Sequence, residues 1–146
     1  MHILIVEDDE RIIAFMKRGL EAESYEVDIA SSKSQTLDLI KSHIYDVIIL
    51  DIFLGADDGL DICRMLRHRG VGSSILLMTA KGTAEMEKAS KNAGANAYLA
   101  KPFAFEELIA TIVRLRKPCV PPNSLEEKSP QDTQVPQKKA GCVYEI

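Results

Sequence analysis

Directly after the apolar run HILIV the chain places four acids in a row, Glu7, Asp8, Asp9 and Glu10. Carboxylates this close repel and raise one another's proton affinity unless a hard divalent cation takes their oxygens. Three other short stretches carry related chemistry: Asp51 closes the run VIIL, Thr79 follows ILLM, and Lys101 with Pro102 follows AYLA. An aspartate can act as a nucleophile toward phosphorus. Mg2+ suits such a set, since it binds through a few carboxylates, keeps several waters and typically meets a phosphoryl group. A lysine and a hydroxyl would then hold the oxygens of the group in transit, a task that needs mainly positioning and charge neutralisation.

Residues so far apart can cooperate only if the elements that end in them end together. Short apolar, β-branched runs at 3–6, 27–30, 47–50, 75–78 and 97–100 alternate with segments of helical period at 10–22, 33–43, 58–69, 82–93 and 104–117. In the first such segment Ile12, Ile13, Phe15, Met16 and Leu20 fall close to one face, and Asp9 is placed as its N-cap. Strict alternation predicts an α/β fold: a parallel sheet with right-handed crossovers, sandwiched between helices in three layers. The near-continuous apolar strands agree, because a parallel sheet is buried on both faces.

In such a sheet the carboxyl ends of the strands share one edge, and ligands bind there where the strand order reverses. Glu7 and Asp8, Asp51, Thr79 and Lys101 all fall on that edge. Taken singly, acids at a helix start complement its dipole, a threonine after a strand is a cap, and a lysine is solvated. Polar groups of these types at four of five strand ends make the edge a predicted site.

Composition narrows the class further. A chain of 146 residues, 46% hydrophobic and 27% charged, predicts one soluble globular domain. A net charge of −4 argues against a broad basic face for nucleic acid. The longest apolar stretch, VIILDIFL, is too short and too charged to span a bilayer. No secretory leader is visible at the amino terminus, and the three cysteines form neither a disulfide framework nor a metal-ligand pattern. A cytoplasmic location is therefore expected. Beyond Lys117 five of the six prolines crowd into a stretch without periodicity, so 1–117 reads as the domain and 118–146 as a disordered tail or linker.

The stretches ILIVEDD, VIILD, LLMTA and YLAKPF together resemble the receiver domain of two-component response regulators, over residues 1 to 117. ERIIAFMKRGLEAESYEVDIA and DGLDICRMLR look most like the subfamily that carries a winged-helix DNA-binding output domain. The resemblance implies a flavodoxin-like sheet of five parallel strands in the order 2-1-3-4-5. It also implies that Asp51 is a phosphoacceptor served by a phosphohistidine on a sensor histidine kinase. Mg2+ would be held by Asp8, Asp51 and the backbone carbonyl of Phe53, with Glu7 acting through a bound water. Thr79 and Lys101 would bind the phosphoryl group, Tyr98 would swing inward as Thr79 moves, and the Lys101–Pro102 bond would be cis. The surface formed by the fourth helix, fifth strand and fifth helix would change for a downstream protein partner.

The chain departs from the family pattern in several places. FLGADDG lacks the proline usual after the phosphoacceptor, and the segment from Asp51 to Thr79 is about two residues short. GANAY stands where winged-helix regulators typically read GADDY, and the last helix has no arginine before Arg114, which puts dimerisation through the usual surface in doubt. No output domain follows, so the chain reads either as a stand-alone receiver or as a truncated transcriptional regulator. A phosphohydrolase of the haloacid dehalogenase type is a rival reading, but it needs an acid two positions after the nucleophile, where Phe53 stands. A phosphorylation-independent, receiver-like binding module would be favoured by loss of a key position, and all five are present.

Overall fold

Leu-, Ile- and Val-rich runs too short for a helix pair as strands, and the amphipathic segments between them cross over as helices. In the computed structural model, which describes residues 1–116 and the backbone of Cys142 and Val143, the main elements are β1 (His2–Val6), α1 (Glu10–Ala22), β2 (Glu26–Ala30), α2 (Lys33–Ser42) and β3 (Val47–Asp51). A short antiparallel hairpin follows, β4 (Phe53–Leu54) with β5 (Asp57–Asp58). Then come α3 (Gly59–His68), β6 (Ser74–Thr79), α4 (Ala84–Asn92), β7 (Ala97–Ala100) and α5 (Phe105–Leu115). Five strands run parallel in the order β2-β1-β3-β6-β7, the order expected. A sixth, β8 (Cys142–Val143), lies antiparallel on the outer edge of β7.

Alternation along each strand divides the core between the two faces of the sheet. Leu4, Val6, Ile48, Leu50, Ile75 and Leu77 face Ile62, Cys63 and Leu66 of α3, with Leu39, Ile40 and Met86 of α2 and α4 packed against them. Ile3, Ile5, Val47, Ile49, Leu76 and Met78 face Met16 and Leu20 of α1 and Leu108 and Ile112 of α5. Side-chain oxygens begin four of the helices: Asp9, Ser32, Asp58 and Thr83 each accept a backbone N–H of the first turn. Asp9 is the cap anticipated from sequence.

Three local features were not anticipated. The shortened segment after Asp51 folds into the β4–β5 hairpin, turning at Gly55 with φ of +58°, a conformation that costs glycine little. Asn96 is engaged within the chain rather than idle: its Oδ1 accepts from Arg67 at 2.5 Å and from the Ile75 amide at 2.8 Å. The expected disordered tail lies outside the described residues, except for Cys142 and Val143, which are a strand and not coil.

Candidate functional site

β1 and β3 are neighbours at the place where strand order reverses, with β2 on one side of β1 and β6 beyond β3. Their carboxyl ends deliver Glu7 and Asp51 side by side, as the reversal rule predicts. Glu7 is fully buried and Asp51 nearly so, while Asp8 is exposed. The three offer carboxylate oxygens that all lie within 4.8 Å of one another. Lys101, arriving from the end of β7, places its Nζ 3.0 Å from Glu7 Oε2 and 3.2 Å from Asp51 Oδ2. The Lys101–Pro102 peptide bond is cis.

Glu7 organises the loop as well as the charge. Its Oε1 accepts the Asp8 and Asp9 amides at 3.0 and 3.2 Å, so one carboxylate ties down the turn that presents Asp8. Burial pushes the Glu7 carboxyl above its ordinary value; hydrogen bonding to Lys101 opposes that, and the neighbouring Asp51 reinforces it. For Lys101 burial alone would favour the neutral amine, but Glu7 and Asp51 outweigh it and hold the ammonium above its usual value. Three carboxylates thus face one ammonium.

Close packing leaves little play around Asp51. A side chain at Gly59 would come within 2.2 Å of the Asp51 carbonyl oxygen, so only glycine lets α3 begin directly against the end of β3. The Phe53 amide donates to Asp51 Oδ1 at 3.3 Å. Half-exposed Phe53 has the Lys81 ammonium 5.6 Å from its ring centroid. Near Asp8, a Cβ at Gly55 would lie 3.3 Å from Oδ2, so the hairpin turn approaches the exposed acid closely.

The hydroxyl and the aromatic are linked through one residue. Thr79, at the end of β6, is fully buried and its Oγ1 accepts the Lys81 amide at 3.0 Å. The carbonyl of the same Lys81 accepts the Tyr98 hydroxyl at 3.2 Å. Tyr98 is only 6% exposed, so it already lies inward, whereas the resemblance implied that it would turn inward as Thr79 moves. The backbone role of Lys81 carries no sequence signal, since any residue has an amide and a carbonyl.

The donor set fits a hard cation. Oxygen ligands from carboxylates, two of them desolvated and held by neighbouring groups, with an exposed third, match what Mg2+ takes. The sequence matches the family "Response regulator receiver domain" over residues 3–113. This chain belongs to that family. It is 36% identical over 129 residues to the response regulator MprA of Mycolicibacterium vanbaalenii, covering 88% of this chain and 56% of that one. With MprA of Mycobacterium avium it shares 37% over 126 residues, covering 86% and 55%. The chain therefore spans about half the length of the curated relatives it matches. Among solved structures, the receiver domain of the Francisella response regulator 1452 superposes with a TM-score of 0.75 at 28% identity, covering 79% of this chain and 95% of that one. The chemotaxis response regulator CheY4 of Vibrio cholerae gives 0.74 at 28% identity, covering 78% and 97%. Receiver domains serve two-component signalling and are not conventional enzymes. Among the described residues no helix is long and apolar enough to cross a membrane.

Proposed function

We propose that this receiver domain accepts a phosphoryl group on Asp51 from a phosphohistidine of a sensor histidine kinase, in a Mg2+-dependent step. The observation that carries the reading is the meeting of Asp51 with Glu7 and Asp8 on one side and the Lys101 ammonium on the other. Asp8, Asp51 and the Phe53 carbonyl are the proposed direct ligands of the ion, with Glu7 acting through water. When bound, Mg2+ supplies positive charge that offsets the clustered carboxylates and the phosphoryl oxygens.

The chain's own groups account for the rest. An Asp51 carboxylate oxygen attacks phosphorus, the P–N bond of the phosphohistidine breaks, and the imidazole leaves with the electron pair and takes up a proton. Lys101, which donates to Asp51 Oδ2 in the resting site, turns its ammonium to a phosphoryl oxygen. Thr79 accepts from Lys81, so its own hydroxyl proton is left to donate to another phosphoryl oxygen. A move of Thr79 toward that oxygen pulls on the Lys81 backbone and hence on the acceptor of Tyr98. Occupancy at Asp51 is thereby passed to β7, α4 and α5, where a downstream protein partner would read it.

Acetyl phosphate with Mg2+ tests this directly. The parent protein should gain one labile phosphoryl group by intact mass, and Asp51→Asn should gain none while keeping its far-UV circular dichroism. Labelling of Asp51→Asn to the parent's extent would remove Asp51 from its role. Sustained release of phosphate would favour a phosphohydrolase, and silence in both proteins a phosphorylation-independent module.

A further inference from the structure

β7 is the last of the parallel strands, and its outer edge would present unpaired backbone groups, a template on which another chain can add a strand. Here that edge is taken. Val143 pairs with Ala97 and Cys142 with Tyr98, antiparallel, and the added strand runs alongside α5. We propose that the C-terminal segment around Cys142–Val143 is an intrachain cap of the β7 edge, closing it to strand addition by a second protein.

The sequence of the segment suits that role. From 118 to 140 the chain is polar and interrupted by Pro118, Pro121, Pro122, Pro130 and Pro136, none of which can donate to a ladder. After Gly141 the composition turns to Val143, Tyr144 and Ile146, residue types that favour strands. The intervening stretch can reach the edge easily, since each extended residue adds roughly 3.3 Å. Attachment to the same chain also raises the local concentration of the segment over that of a strand from another molecule, which lets so short a ladder compete. The cap sits on the strand that carries Tyr98, the residue joined through Lys81 to Thr79. Pairing at this edge does not depend on whether Asp51 is phosphorylated.

Backbone amides of a strand point alternately to its two neighbours. Of Ala97 and Tyr98, one amide therefore faces β6 and the other β8, which gives an internal control. Amide hydrogen exchange on the full chain, followed residue by residue by NMR, should show both protected. In Val143→Pro, which removes a donor and disfavours pairing, one of the two should exchange about tenfold faster or more while the other is unchanged. Val143→Thr, which keeps strand propensity, should behave as the parent. The cap is overturned if both amides keep their protection in Val143→Pro, or if one is already unprotected in the parent. Protection that fades on dilution would also overturn it, because the strand would then come from a second copy.

Discussion

At the carboxyl ends of the strands Lys101 stands between Glu7 and Asp51, whereas toward the amino ends Tyr45 and His2 converge on Asp28. The ingredients are alike: a carboxylate, a nitrogen and, close by, a hydroxyl. At Asp28 the account is balanced, with the Tyr45 hydroxyl donating to Oδ2 at 2.7 Å and His2 Nε2 3.0 Å from the same oxygen. Burial would raise the Asp28 carboxyl, but the hydrogen bonds from Tyr45 and His2 outweigh it and hold the group below its usual value. At Glu7 the balance goes the other way, because burial and a second carboxylate outweigh a single ammonium. The cluster around Asp28 ties strands together; the one around Glu7 is hydrogen-bonded too but keeps an excess of negative charge, the kind of donor set that could hold a cation.

That contrast is broken most severely by removing Lys101. Lys101→Met leaves Glu7 and Asp51 buried beside each other with no counter-charge. The loss should be about 2 to 3 kcal/mol of unfolding free energy in Mg2+-free buffer at neutral pH, moderated because Glu7 can take a proton. Urea denaturation measures it. Millimolar Mg2+ should then raise the midpoint of the variant more than that of the parent, since the ion no longer competes with an ammonium for the same oxygens. A loss below about 0.5 kcal/mol, the range of an exposed pair, would show that Lys101 does not hold the site together.

At the opposite end the expected effect is smaller and purely structural. Tyr45→Phe deletes one hydrogen bond to Asp28 and should cost about 1 kcal/mol. Acetyl phosphate labelling should be unchanged. A labelling defect in Tyr45→Phe would mean that the two ends of the sheet communicate, which the separate hydrogen-bond sets do not suggest.

The two ends also differ in how far the sequence discloses them. Glu7, Asp8, Asp51 and Lys101 were legible as a group because apolar runs show where strands stop, and parallel topology puts those stops on one edge. The bridge from Lys101 to Glu7 was not legible: a lysine stem reaches several partners, and spacing does not choose among them. The β4–β5 hairpin is not legible because two-residue strands carry no period to detect. Asn96 read as a lost acid, yet its amide oxygen takes both Arg67 and the Ile75 amide, a match visible only once α3 and β7 are packed. The Asp28 cluster gave no signal, since His2, Asp28 and Tyr45 stand at unrelated positions in their runs and meet through register alone.

The smallest effect is the pH dependence of stability, in which the two ends act with opposite sign. Folded Glu7 holds its proton more tightly than unfolded Glu7, so its favourable contribution is complete below the unfolded value of 4.5 and is lost as pH rises through the higher folded value. Folded Asp28 holds its proton less tightly, so its contribution is present above the unfolded value of 3.8 and is lost as pH falls through the lower folded value. The two slopes lie on opposite sides of the ordinary carboxylate range, and variants assign each to its group. In Mg2+-free buffer, urea midpoints of Glu7→Gln should lose the decline on the alkaline side of 4.5, and those of Asp28→Asn the decline on the acid side of 3.8. Added Mg2+ should flatten the first slope in the parent, because a cation at the acids favours charged Glu7, and leave the second untouched. If Mg2+ and Glu7→Gln both left the alkaline-side slope in place, the excess negative charge at the carboxyl edge would not be what distinguishes it from the balanced cluster around Asp28.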